Sequence, residues 1–116
     1  MSFDHSGRIA FITGAGSGIG RATALRLAAQ GAAVAVVDIR LEAAEETVAS
    51  IADGGGTGVA FDADVRDRSE IESARDGAVN AFGHVNYLVN NAGLVRMSPL
   101  DELSEALTLI QTGKIE

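Results

Sequence analysis

The chemistry this sequence offers first lies in its glycines. Gly14, Gly18 and Gly20 fall within Thr13-Gly14-Ala15-Gly16-Ser17-Gly18-Ile19-Gly20, at the spacing G-x-x-x-G-x-G. Glycine lets a backbone turn sharply and come within contact distance of a ligand. The apolar run Ile9-Ala10-Phe11-Ile12 leads into the turn, and a helical pattern with Ala22, Leu25, Leu27 and Ala28 as its apolar positions leaves it. A helix opening directly after such a turn presents unpaired N–H groups and the positive end of its dipole, which suits a pyrophosphate. Gly14, Ser17, Gly18, Ile19 and Gly20 are therefore candidate phosphate-side residues. The spacing is neither G-x-G-x-x-G nor a Walker loop, since no Gly-Lys-Ser/Thr follows. The competing reading is a turn that only allows close helix–strand packing.

Two further sites extend the pattern. Asp38 closes a second apolar run, 18 residues after Gly20. A carboxylate there can accept hydrogen bonds from both ribose hydroxyls of an adenosine and would repel a 2′-phosphate, which favours NAD over NADP. Arg40, two residues on, is a counter-signal, because an arginine could meet that phosphate. Asn90-Asn91-Ala92-Gly93 follows a fourth apolar run. Paired asparagines can bond turn backbones and lock a strand end. The small Ala92 and Gly93 allow close approach of a nicotinamide ribose.

The elements that must hold these residues read as an alternation. Strands are expected over 8–13, 32–38, 58–61 or slightly longer, and 86–90. Helices are expected from Ser17 or Gly18 to Gln30, over 41–52, and from near Ser69 to Phe82. Gly31 and Gly83 are placed to end the first and third helices. Leu41, Ala44, Val48 and Ile51 form the apolar stripe of the second, and Ser69 with Glu72 forms a capping box for the third. Strand–helix alternation predicts an α/β fold with right-handed crossovers, a parallel sheet in the order 3-2-1-4 and helices on both faces. The switch point then lies between strands one and four, and every motif above sits at the carboxyl end of a strand.

Composition agrees and narrows the class. The 116 residues are 47% hydrophobic with no Trp, one Tyr and four Phe, so the core is aliphatic. One domain is the most this length holds, and it is short for a complete doubly wound fold. A net charge of −7 argues against nucleic-acid or anionic-membrane partners. The absence of cysteine and the separation of His5 from His84 argue against a metal site. No signal pattern opens the chain and no apolar run has membrane-spanning length, so a cytoplasmic protein is expected.

Thr13-Gly14-x-x-x-Gly18-Ile19-Gly20, Asp38, Asp64-Val65 and Asn90-Asn91-Ala92-Gly93 together resemble the short-chain dehydrogenase/reductase family in order and spacing, over residues 8–104. The resemblance implies a Rossmann-like sheet and a dinucleotide partner, with hydride transfer to or from an alcohol or carbonyl as the parent activity. It also implies that Asp64 and the backbone of Val65 hold the adenine, and that Asn91, Ala92 and Gly93 face the nicotinamide. Asp62 and Asp67 read as solvated loop carboxylates.

The family's catalytic groups are missing from these 116 residues. The resemblance calls for a Tyr-x-x-x-Lys pair, but position 91 is Asn after Tyr87 and position 110 is Ile before Lys114. The relay asparagine it implies falls near position 115, which is Ile. The stretch is therefore expected to be an incomplete dinucleotide-binding domain without catalytic residues of its own. A helix with the stripe Leu100, Leu103, Leu107 and Ile110 is expected over 99–113, opened by Ser98-Pro99. Residues 106–116 depart from the family and are weakly similar to the closing helix and Gly-Lys of medium-chain dehydrogenases; chimera, frameshift and divergence stay open. A bare fourth-strand edge predicts either self-association, giving a homo-oligomer, or cover by the 99–113 helix. The alternative function is a non-catalytic nucleotide-binding or self-associating fragment.

Overall fold

The structure, a computed structural model, describes residues 4–91. In chain order it contains β1 (Ile9–Thr13), α1 (Gly18–Ala29), β2 (Ala33–Asp38), α2 (Leu41–Asp53), β3 (Thr57–Asp62), α3 (Arg68–Phe82) and β4 (Tyr87–Asn90). The four strands form one parallel sheet in the order β3-β2-β1-β4, as the alternation predicts. The expected helix at 99–113, its atypical tail, and Ala92 and Gly93 lie outside the described residues.

Strand alternation distributes the core over two faces. Ala10, Ile12, Val34 and Val36 meet Ala24 and Ala28 of α1 and Ala44 and Ile51 of α2. Phe11, Ala35 and Val37 point the other way, against Ile71, Ala74 and Ala78 of α3. β1 and β2 are thus apolar on both faces because both faces are covered. This is the physical content of a doubly wound sheet.

The helices bury Ala28, Ala44 and Ile51 as expected, but the rest of each buried face differs. In α1 the buried residues are Gly20, Ala24 and Ala28, while Ala22 is exposed and Leu25 and Leu27 are only half-buried. The spacing of four puts the small residues against the sheet and lets the helix axis lie close, with the leucines flanking. In α2 Ala43, Ala44, Thr47 and Ile51 are buried, Val48 is half-buried and Leu41 is exposed.

The start of α3 also differs. Its cap is Asp67, not Ser69: Asp67 Oδ1 accepts from Ser69 N–H at 3.0 Å, Ser69 Oγ at 2.8 Å and Glu70 N–H at 3.3 Å. The Ser69 side-chain bond, then the Glu70 backbone bond, holds the Asp67 carboxyl below its ordinary range. Glu70, three residues after the cap, reaches outward to the Asp64 N–H at 3.0 Å. A loop carboxylate is thereby the residue that starts the helix: the chain enters it two residues before Ser69, which then stands inside the first turn and donates to the cap.

Candidate functional site

The turn between β1 and α1 is shaped by its glycines. Gly14 and Gly18 have φ of 65° and 58°, a conformation L side chains rarely adopt. A Cβ on Gly20 would sit 2.1 Å from the Gly14 carbonyl oxygen, so the start of α1 packs directly on the turn. A Cβ on Gly16 would meet Ala43 Cβ at 2.6 Å and Asp38 Oδ2 at 2.8 Å.

Hydrogen bonds tie this turn to its neighbours. The Ala15 N–H donates to the Val37 carbonyl at 3.0 Å. The Gly16 N–H donates to Asp38 Oδ2 at 2.9 Å, and the Thr47 hydroxyl donates to the Ala15 carbonyl at 2.9 Å. Asp38 Oδ1 accepts from the Arg40 N–H at 3.0 Å, so both carboxylate oxygens are oriented by backbone. Asp38 is half-buried at the end of β2, directly beside the turn.

Ser17, Gly18 and Ile19 are exposed at the opening of α1. Ser17 occupies the cap position without making a side-chain cap, and no acidic side chain lies in the first turn. No acidic side chain of the helix's own first turn therefore answers its positive end. Among the described residues the exposed large hydrophobics are Ile19, Ile39 and Leu41, at 76%, 57% and 40% exposure. All three follow the carboxyl ends of β1 and β2.

The ends of β1 and β4 are stitched together at the switch point. Thr13 Oγ1 donates to Asn90 Oδ1 at 2.7 Å, and the Asn91 N–H donates to Thr13 Oγ1 at 3.2 Å. Asn90 thus locks the strand end, and the Asn91 side-chain Nδ2 is buried with no acceptor among the described residues. Asp64 stands beyond β3 in a bidentate pair with Arg66, Nε to Oδ1 at 3.2 Å and Nη2 to Oδ2 at 3.0 Å. The Val65 side chain belongs to the α3-side core, which leaves its backbone as the part available to a ligand. The register sets the strand ends side by side: Asp62 beside Asp38, Val37 beside Thr13, Thr13 beside Asn90.

Sequence reasoning missed Gly16 and Thr47. Gly16 was visible as a fourth glycine in the turn. Thr47 had a signal too, as a hydroxyl on an otherwise apolar helical stripe with Ala43, Ala44 and Ile51.

A parallel sheet in this order, with a glycine turn at its switch point, defines a Rossmann-type α/β protein. The family profile described as short chain dehydrogenase matches residues 8–112, and the chain belongs to that family. The family binds nicotinamide dinucleotides, NAD or NADP.

The chain is 40% identical over 104 residues to D-threitol dehydrogenase of Mycolicibacterium smegmatis, covering 90% of this chain and 40% of that protein. It is 44% identical over 100 residues to the short-chain dehydrogenase/reductase homolog YusS of Bacillus subtilis, covering 85% of this chain and 92% of YusS. A hydroxysteroid dehydrogenase structure from Escherichia coli superposes with a TM-score of 0.83 at 33% identity, over 94% of this chain and 51% of that one. The chain spans about two fifths of the length of curated relatives such as D-threitol dehydrogenase and cyclohexanol dehydrogenase of an Acinetobacter strain.

Proposed function

We propose that this chain is the NAD-binding portion of a short-chain dehydrogenase/reductase whose whole activity is alcohol–carbonyl interconversion. Gly14, Ser17, Gly18, Ile19 and Gly20 would hold the pyrophosphate on the open end of α1. Asp38 would hold the adenosine ribose, Asp64 and the Val65 backbone the adenine, and Asn91, Ala92 and Gly93 the nicotinamide side. The bound nicotinamide supplies or accepts the hydride in such a reaction. The residues of this chain bind and orient; a Tyr-x-x-x-Lys pair to move the carbonyl proton is not among its 116 residues, so these residues alone turn over no alcohol. Asp64 would exchange its Arg66 pairing, or share it, with the adenine amino group.

The observation that carries the reading is the contact between Asp38 Oδ2 and the Gly16 N–H. It sets a carboxylate beside the pyrophosphate turn, where it accepts from ribose hydroxyls and opposes a 2′-phosphate. That is the basis for NAD over NADP. Titration of the purified chain with NADH and, separately, NADPH, followed by nicotinamide fluorescence, tests it. Saturable binding with NADH preferred supports the reading, and binding of neither overturns it in favour of a scaffold or assembly role.

The finer expectations follow from the same fold. The outer edge of β4 carries no strand among the described residues, and Tyr87 and Val89 with Thr23 and Leu27 line a groove beside it. Such an edge supports self-association of this chain as a homo-oligomer. Among the described residues no helix is long and apolar enough to cross a membrane. A cytoplasmic setting suits a nicotinamide cofactor and a net charge of −7.

A further inference from the structure

Two of the bonds at the turn act on one peptide unit. The carbonyl that accepts from Thr47 belongs to Ala15, and the N–H that donates to Asp38 belongs to Gly16. Ala15–Gly16 is a single planar amide. Its oxygen is held by a hydroxyl from α2 at 2.9 Å and its N–H by a carboxylate from β2 at 2.9 Å.

We propose that Thr47 is a positioning residue for the cofactor turn, acting with Asp38 as a two-point clamp on the Ala15–Gly16 peptide. The proposal rests on the dinucleotide-binding reading above. Thr47 is fully buried, and the rest of the buried α2 stripe is apolar. Burying a hydroxyl there is unfavourable unless it is hydrogen-bonded. Its 3.3 Å contact with the Ala43 carbonyl is the longer of its two, and the Ala15 carbonyl is the better acceptor. An alanine or valine would satisfy packing alone; a hydroxyl adds direction.

The direction matters because of what comes next. Fixing the 15–16 plane fixes where the chain enters Ser17, Gly18 and Ile19, the exposed residues at the opening of α1. Their N–H groups are then presented before a ligand arrives, and less ordering is needed on binding. The same clamp makes Asp38 a shared element. One carboxylate orients the pyrophosphate turn and stands ready for the ribose, so the two ends of the adenosine diphosphate moiety are read by connected groups.

The test compares Thr47→Val, which replaces the hydroxyl with a methyl at nearly equal volume, with Thr47→Ser, which retains it. Thr47→Ala, which adds no volume, takes the place of the valine variant if that one shows no cooperative unfolding. NADH affinity is measured by nicotinamide fluorescence well below each melting temperature, and amide exchange of Gly16 is followed in the unliganded chain. The expected result is NADH binding weakened about tenfold in Thr47→Val and within about twofold of wild type in Thr47→Ser. Gly16 exchange should rise in Thr47→Val while that of Val36, in the sheet core, stays put. A purely structural role would lower the melting temperature and leave the affinity of the folded variant unchanged, and that result overturns the proposal. If wild type binds neither dinucleotide, the functional reading fails by itself, and the clamp is then decided by Gly16 exchange alone: unchanged exchange in Thr47→Val refutes it.

Discussion

The Thr13 hydroxyl donates to Asn90 Oδ1 at 2.7 Å and joins the ends of β1 and β4 where the strand order reverses. The same oxygen accepts the Asn91 N–H at 3.2 Å. A cleft at a switch point exists because the connections from its two strands leave in opposite directions. Beyond the backbone ladder of the two strands, one buried hydroxyl, serving as donor and acceptor, ties those strand ends together.

Thr13→Val tests that role. The substitution preserves shape and β propensity while leaving Asn90 Oδ1 and the Asn91 N–H without their partner. Loss of these bonds in a site 1% exposed costs about 1–2 kcal/mol. The urea midpoint should fall accordingly, and a midpoint equal to wild type would show the bond to be dispensable.

Gly20 and Gly54 make a matched pair for the turn. A Cβ on Gly20 meets the Gly14 carbonyl oxygen at 2.1 Å and carbon at 2.7 Å, all backbone, so either α1 or the turn must shift. Gly20→Ala should lose about 2 kcal/mol or more, since overpacking against backbone cannot be relieved by a rotamer change. Gly54 ends α2 with φ of −86°, and its nearest neighbour to a new Cβ is 3.6 Å away. Gly54→Ala should be neutral or stabilise by up to about 1 kcal/mol, through the unfolded chain. Thermal melts of the two variants check both signs at once.

How much of this could be seen in the sequence depends on whether a residue's role is local. The strand order, the switch point and the termination of α1 at Gly31 follow from alternation and turn chemistry, which neighbours along the chain determine. The buried faces of α1 and α2 followed only in part: Ala28, Ala44 and Ile51 are buried as expected, but Gly20, Ala24, Ala43 and Thr47 take the places expected for larger residues. Leu41 looked like core by type, yet it stands exposed at the first position of α2, just after the carboxyl end of β2. Asp67 looked like a solvated carboxylate because its partners are backbone N–H groups, which no side-chain pattern reveals. Gly16 and Thr47 matter through contacts 22 and 32 residues distant, made only when β2 and α2 close on the turn.

Asp67 gives α3 a pH-dependent start. Its carboxyl is held below the ordinary value of 3.8, first by the Ser69 side chain and then by the Glu70 N–H. A depressed folded-state value means the stabilisation is fully present above the unfolded value and is lost as pH falls through the lowered one. Asp67→Asn keeps a good capping residue but removes the titration. The urea midpoint of wild type should therefore drop more than that of Asp67→Asn between about pH 5 and about pH 3. Equal drops would assign the acid sensitivity to other carboxylates.

Asp38 allows charge and hydrogen bonding to be separated in cofactor choice. Asp38→Asn keeps one acceptor oxygen, which can serve the Gly16 N–H, but gives up the bond from the Arg40 N–H and removes the negative charge. Asp38→Ala removes both and also frees one end of the Ala15–Gly16 peptide. If repulsion of a 2′-phosphate drives selectivity, both variants should bind NADPH better, with exposed Arg40 two residues away to meet the phosphate. The NADH-over-NADPH ratio should then fall about tenfold in Asp38→Asn, equivalent to about 1.4 kcal/mol, a size that partly screened charges a few ångströms apart can supply. NADH affinity itself should fall further in Asp38→Ala than in Asp38→Asn, because only the alanine loosens the turn. A ratio unchanged in Asp38→Asn, with NADH affinity lost equally in both, would mean that the carboxylate acts through the turn alone and that 2′-phosphate discrimination lies elsewhere.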